Sequence, residues 1–303
     1  MTMRTFYWLV LVSMVPFLAP SAYGQTPLGF ALDPFAVLAG TAVTNAGAGV
    51  LGETVITGSL GVSTGTSCTG FLMAPCTLGP GNVVDGTYNI SNSQAAAAQG
   101  NLTTAFNTLS GLTPTGSFAA GTLSGKSVGP GVYTVTSAAI DLTANSTLTL
   151  NAPGRYVFVM VGGVGSTLIA GDNVTVDISA LDATSSVYWV AASTGTAVSL
   201  GKNDDFQGNL VTNGAITFDT GATVGCGRAL SQTGLVSFAG QDPTSKEQNL
   251  VGGGCTGSLA NSNGLSSSVV TPEPGTFGLF GAGLGLLLIS TFRRSKLSAL
   301  RAA

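Results

Sequence analysis

GRALSQTGLVSF, residues 227–238, decides how the rest of the chain is read. It alternates apolar and polar positions, as a half-buried strand does. Its polar members after Arg228 are all short: Ser231, Gln232, Thr233 and Ser237. No lysine or glutamate stands where a solvated strand would ordinarily carry one. Two upstream segments line up with it at a spacing of about 20 residues, VAASTGTAVSL (190–200) and LVTNGAITF (210–218). Between them, NDDFQG (203–208) and ATVGCG (222–227) also align. Short strands at such a spacing, broken by glycine-rich corners, predict a β-solenoid with three strands per coil. An immunoglobulin-like sandwich also has many short strands, but the shared spacing and the corner glycines favour the solenoid. GVYTVTS (131–137) and RYVFVM (155–160) read as earlier coils, with the period interrupted at 177–186.

One segment breaks the β pattern. In SNSQAAAAQGNLTTAFNTL (91–109), Ala95, Ala98, Leu102, Ala105, Phe106 and Leu109 recur at helical spacing. This predicts a helix over about 92–109, capped by Ser91 or Asn92 and ended by Gly111 and Pro114. Its apolar stripe is expected to pack along the coils.

The two ends read differently from the middle. Arg4, an apolar run and small residues predict a secretory signal peptide over 1–24, cut after Ala22 or Gly24. A domain over 25–260 and a linker over 261–271 follow. The C-terminal order is Pro272-Glu273-Pro274, an apolar span over 276–292, and then Arg293, Arg294 and Lys296. The span is marginal for a bilayer, and the basic cluster favours the cytoplasmic side. This segment, 272–296 with a short tail over 297–303, resembles the PEP-CTERM sorting tail of Gram-negative bacteria. The resemblance implies an exosortase-type sorting protease as a partner, transient anchoring in the inner membrane, and release to the cell surface or medium, often beside exopolysaccharide and biofilm.

Composition excludes several functions. Between residues 25 and 270 there are five Lys/Arg against twelve Asp/Glu, a net charge of −7, and the chain has no histidine. No basic patch exists to meet phosphates, so nucleic acid is not an expected partner. Asp204-Asp205 is the only adjacent acidic pair, and neighbours on a strand point to opposite sides. No catalytic residues and no cofactor are expected. Asp172, Asp177 and Asp182 read as solvated turn residues rather than a calcium site, and no zinc pattern occurs, so no metal is expected. The four cysteines allow three pairings; sequence proximity favours Cys68–Cys76 and Cys226–Cys255.

In order along the chain, several of these segments resemble the microbial ice-binding proteins that pair a discontinuous β-solenoid with one long helix. They are FAVLAGTAVTN (35–45), VITGSLGVS (55–63), the helix, GVY (131–133), YWV (188–190) and FQGNL (206–210) through GRAL (227–230). The resemblance covers residues 28–239. It implies a mainly β fold, a right-handed three-faced β-solenoid with one long α-helix alongside, in which the N-terminal piece lies beside the C-terminal coils. It also implies function through a flat face that adsorbs to ice, rather than through a cleft. In that register the expected contacts are Thr41, Thr44, Ser137, Thr194, Thr212, Asn213, Ser231 and Thr233. Thr41-Ala-Val-Thr44 and Thr220-Gly-Ala-Thr223 both fit a T-A/G-X-T pattern of the family, on one face or on two. Charges at 202–205 depart from the family pattern and would weaken activity if they border the face. Physically, threonine suits such a face because its branched Cβ stiffens χ1, so little rotamer entropy is lost on ordering. A Thr/Ser/Asn-rich surface would equally suit an adhesive or exopolysaccharide-binding role, although the proposed row carries no aromatic platform for a sugar.

Overall fold

The computed structural model describes residues 30–47, 53–118, 122–135, 139–160, 166–182 and 184–252. The segment expected as a signal peptide, 1–24, the segment expected as a sorting tail with Pro272, Glu273, Pro274, Arg293 and Arg294, and the positions of Ser137 and Cys255 lie outside these residues. Among the described residues no helix is long and apolar enough to cross a membrane.

The chain is mainly strand, and all the pairings are parallel, so it must travel between sheet positions rather than turn back in hairpins. It visits three ladders in rotation. The first ladder runs through Ser127–Val128, Thr147–Leu150, Thr175–Asp177, the beginnings of the long strands Asp205–Thr212 and Thr223–Ser231, then Asn249–Val251, Thr54–Thr57 and Asn82–Val84. The second runs through Gly116–Phe118, Gly131–Val135, Arg155–Met160, Ser186–Ala191, the ends of the same two long strands, Phe35–Ala39, Ser59–Val62 and Tyr88–Ile90. The third runs through Ala139–Leu142, Thr167–Ala170, Thr196–Leu200, Ala215–Phe218, Val236–Phe238, Ala42–Asn45, Ser67–Phe71 and Thr77–Leu78. The two long strands bend from the first ladder into the second and join them as one 15-stranded sheet; the third is a separate 8-stranded sheet.

The order within each ladder is not the order of the sequence. Phe35–Ala39 sits against Thr223–Ser231, with Val37 opposite Ala229 and Leu38 opposite Leu230. The N-terminal strands therefore extend the stack from its C-terminal end, as the resemblance implied.

Sequence pattern tells which ladder is covered. Strands buried on one side alternate, and strands buried on both read as continuous apolar runs. RYVFVM and SVYWVA of the second ladder are buried at nearly every position. TLTL of the first ladder and AITF of the third bury only alternate residues. The helix Ser93–Ser110 covers the second ladder. Its Ala95, Ala98, Leu102, Ala105 and Leu109 are buried against Leu38, Val157, Val159, Tyr188, Val190, Val211 and Leu230, with Phe106 partly buried beside them. Asn92 caps it by accepting a hydrogen bond from the Ala95 amide, and Gly111 closes it. The apolar core lies on the inward sides of the ladders, where Tyr133, Phe158, Trp189 and Phe206 stack in sequence.

Cys68 and Cys76 form a disulfide, as sequence proximity suggested. Cys226 is buried, and its expected pairing with Cys255 lies outside the described residues.

The corner between the third and first ladders is built from left-handed residues. Asn145, Asn173, Asn203 and Gly221 stack there with φ of 59°, 58°, 54° and 72°. Each donates its backbone N–H to the next coil, through the carbonyls of Asp172, Lys202, Thr220 and Gly240. Asparagine and glycine are the residues that adopt this conformation at least cost. Beside this stack Asp204 points inward, 1% exposed, and accepts backbone hydrogen bonds from Val174 and Gly201. Asp205 points outward, so the acidic pair diverges as its strand geometry required.

Burial pushes the Asp204 carboxyl up to about 7, against the opposing pull of those two hydrogen bonds. Burial raises Asp33 and Asp205 in the same direction. Between the ordinary carboxylate value and pH 7 the folded chain therefore binds more protons than the unfolded chain, and stability falls as pH rises through that window. Asp182 and Asp242 are held low by hydrogen bonds from their own turns, so their contribution is lost only at more acidic pH. Thermal melts are expected to show a higher Tm at pH 5 than at pH 8, and Asp204→Asn to flatten most of that slope.

Candidate functional site

Parallel ladders place outward residues on a grid, about 4.8 Å between strands and about 6.7 Å between alternate residues along each strand. On the second ladder the helix occupies this grid. On the first, register sets Thr147 beside Thr175, Thr175 beside Asp205, Asp205 beside Thr223, Thr223 beside Leu250 and Leu250 beside Val55. That surface mixes hydroxyl, carboxylate and alkyl groups.

The third ladder is different. One outward column runs Ser199, Thr217, Ser237, Thr44, Thr69, Thr77, each registered against the next. Ile169 and Asp141 continue it at the far end. Beside it Thr196 is registered with Ala215 ahead of a bulge in its strand, and Ala42 with Ser67, while half-buried Leu235 precedes the strand Val236–Phe238. Apart from Asp141, no charged residue and no aromatic ring points outward from this ladder. The hydroxyls of Ser199, Ser237, Thr44 and Thr69 have no hydrogen-bond partner among the described residues, and that of Thr217 makes only a 3.3 Å contact to the Val198 carbonyl. They remain available to water.

The corner that precedes this ladder brings successive coils into close contact. Gly214 and Gly234 sit where successive coils touch backbone to backbone. A Cβ on Gly214 would lie 2.1 Å from the Gly195 carbonyl oxygen, and one on Gly234 would lie 2.3 Å from the Ala215 nitrogen. Only glycine allows this approach.

The sequence-based contacts divide across that corner. Thr44 belongs to the hydroxyl column. Thr41, Thr194 and Thr233 are exposed on the corner itself, with Asn213 half-buried among them. Thr233 donates its hydroxyl to the Asn213 carbonyl. Thr212 and Ser231 are corrected outright: both are fully buried, and both donate their hydroxyls to the Gly214 carbonyl at 2.7 and 2.8 Å. They fasten the corner from inside and present nothing to solvent. The expected row thus follows the end of the covered ladder instead of the start of the open one. The residues it missed, Ser199, Thr217, Ser237 and Thr69, were legible as the short polar members of TAVSL, AITF, VSF and SCTGF. The two T-A/G-X-T segments part company: Thr44 lies on the third ladder and Thr223 on the first, where its hydroxyl donates to the Asp204 carbonyl.

Charges at 202–205 fall across the asparagine corner from the hydroxyl columns. Asp204 is inside, Asp205 is on the first ladder, and Lys202 is exposed at the turn. Asp172, Asp177 and Asp182 each accept hydrogen bonds from backbone N–H groups at turns, at Lys202, Ser179 and Thr184. Among the described residues no group of three His, Cys, Asp or Glu is placed to hold a metal ion.

Three stacked parallel ladders, one roofed by a helix and one bearing a regular hydroxyl grid, define an adsorption scaffold more than a cleft. Residues 37–242 match the ice-binding-like family, and the chain belongs to that family. An ice-binding protein of Nostoc sp. (strain HG1) is 34% identical over 261 residues, which cover 86% of this chain and 84% of that protein. The crystal structure of an ice binding protein from an Antarctic biological consortium aligns with a TM-score of 0.57 at 31% identity, over 75% of this chain and 91% of that one. An ice-binding protein from the Antarctic ascomycete Antarctomyces psychrotrophicus aligns with a TM-score of 0.55 at 27% identity, over 75% of this chain and 98% of that one.

Because Thr212 and Ser231 share one acceptor, either can partly replace the other. Thr212→Val and Ser231→Ala are each expected to cost about 1 kcal/mol in urea unfolding, and the double variant more than the sum, since the Gly214 carbonyl then loses both donors.

Proposed function

We propose that this chain is an ice-binding protein that adsorbs through the outward side of its third ladder and restrains ice growth or recrystallisation. The observation that carries this reading is the registered column Ser199, Thr217, Ser237, Thr44, Thr69, in which every hydroxyl but that of Thr217 is without a hydrogen-bond partner among the described residues. A rigid grid of short hydroxyl and methyl groups orders water without gripping it as lysine or glutamate would. Branched threonine loses little rotamer freedom on contact. Thr41, Thr194, Asn213 and Thr233 form the rim of this surface at the glycine corner.

In the same reading the ladders wind as a right-handed, three-faced solenoid, the hand that parallel crossovers take almost without exception. Export through residues 1–24 and sorting through 272–296 by an exosortase-type protease would bring the face to the cell surface or medium, where ice forms. The family relationship favours a physical, non-catalytic action. The third ladder offers no outward aromatic ring on which a sugar could stack, so an exopolysaccharide-binding role has no platform there.

The test is ice recrystallisation inhibition by residues 25–270. Thr217→Tyr and Thr44→Tyr, each placing a ring on the hydroxyl column, are expected to remove most of the activity while circular dichroism stays unchanged. Thr149→Tyr on the first ladder and Thr104→Tyr on the outer side of the helix are expected to retain it. Loss in the second pair and retention in the first would move the contact to another surface. An inactive, folded parent would remove the ice reading.

A further inference from the structure

The hydroxyl column is assembled from two distant parts of the chain. Ser199, Thr217 and Ser237 come from the C-terminal half, and Thr44, Thr69 and Thr77 from the N-terminal part. The halves meet where Ala42–Asn45 pairs with Val236–Phe238, and on the second ladder where Phe35–Ala39 pairs with Thr223–Ser231.

Parallel backbone pairing does not by itself fix the register of this seam. A slip of one residue would turn apolar side chains outward and is strongly opposed, but a slip of two preserves the alternation. Such a slip would carry Thr44 about 6.7 Å out of line with Ser237 and split the column at its middle. Something at the seam must distinguish the two registers.

Arg228 stands at that point. It is 3% exposed, in the strand that receives the N-terminal segment. Its Nε donates to the Phe35 carbonyl and one Nη donates to the Asp33 carbonyl, both at 2.7 Å. These are carbonyls two residues apart, just ahead of the paired residues Val37 and Leu38. A guanidinium is a rigid planar fork, so it matches two acceptors in one geometry only. A two-residue slip would set the fork against Phe35 and Val37 or against Ala31 and Asp33; Val37 is already engaged in the ladder and Ala31 lies in the short helical turn Phe30–Leu32, so either slip gives up one of the two present hydrogen bonds, which is unfavourable for a buried donor.

We propose that Arg228 is the positioning residue of the adsorbing face, setting the register in which the N-terminal strands dock and thereby aligning Thr44 and Thr69 with Ser237 and Thr217. The proposal rests on the ice-binding reading, and it makes activity depend on a residue that never touches ice.

The experiment pairs amide hydrogen exchange with ice recrystallisation inhibition on residues 25–270, comparing the parent with Arg228→Met. Loss of two charge-assisted hydrogen bonds should speed exchange at 37–45 by at least about tenfold, while 186–191 is unchanged. Activity should fall with it. A disulfide engineered at the registered pair, Val37→Cys with Ala229→Cys, should restore both in the Arg228→Met background, because adjacent parallel strands bring Cα atoms within disulfide reach. If Arg228→Met does not fold, Arg228→Lys gives the same comparison: it keeps the charge but lacks the fork. Unchanged exchange at the seam, or protection restored by the disulfide without activity, overturns the proposal. An inactive parent overturns the ice reading and the functional part of this one with it; seam exchange then still reports whether Arg228 sets the register.

Discussion

The parallel pairing of residues 37–38 with 229–230 closes a contact between parts of the chain nearly 200 positions apart, and both the core and the open surface depend on it. Without that seam the helix loses Leu32, Phe35 and Leu38 from its bed. Contacts of such separation carry a large closure cost before they return any stabilisation. The buried guanidinium of Arg228 suits this place. Burial lowers its pKa to about 10, with the Asp33 carboxylate opposing that drop, so it stays charged at neutral pH.

Serine and threonine meet two opposite fates within a few residues of each other. At the glycine corner, Thr212 and Ser231 spend their hydroxyls on the Gly214 carbonyl, which would otherwise be buried without a donor on that side. Five residues beyond Thr212, Thr217 faces outward. Residue type does not separate these roles; position relative to the corner does. The outward sites have mostly hydroxyl and aliphatic neighbours on the grid, while the inward ones have backbone carbonyls.

Much of this was legible in the sequence, for identifiable reasons. The mainly β pattern and the helical stripe at Ala95, Ala98, Leu102, Ala105 and Leu109 were legible, and the described residues carry both, with the strands in parallel sheets. The contrast between RYVFVM and AITF carries a signal that the sequence reading did not draw on: a ladder covered on both sides against one open to water. The position of the corner was not legible. LVTNGAITF and LSQTGLVSF read as nearly continuous alternation, and the bend at Asn213-Gly214 or Thr233-Gly234 shifts which polar residue faces out. A one-residue error at a bend moves a whole set of side chains between core and solvent. The register of the N-terminal segment was equally hidden, because it is fixed by hydrogen bonds from Arg228 to main-chain carbonyls, which leave no mark on the residues that supply them.

The distribution of charge follows from the same geometry. A surface meant to order water weakly must exclude carboxylates and ammonium groups, yet a chain with a net charge of −3 must put its charges somewhere. Here the acids gather on the first ladder and at the asparagine corner, where Asp172 and Asp242 serve as acceptors for backbone N–H groups at turns. Asp204 goes further and lies inside, stitching Val174 to Gly201 at the cost of a carboxyl held near neutrality. The helix removes the second ladder from solvent because its outward residues, Val157, Val159, Val190 and Val211 among them, are too apolar to be left open. What remains is one side without outward charge over six consecutive strands, from Thr167–Ala170 to Ser67–Phe71. Its uniformity is therefore as much a product of where the other residues are sent as of the threonines it displays.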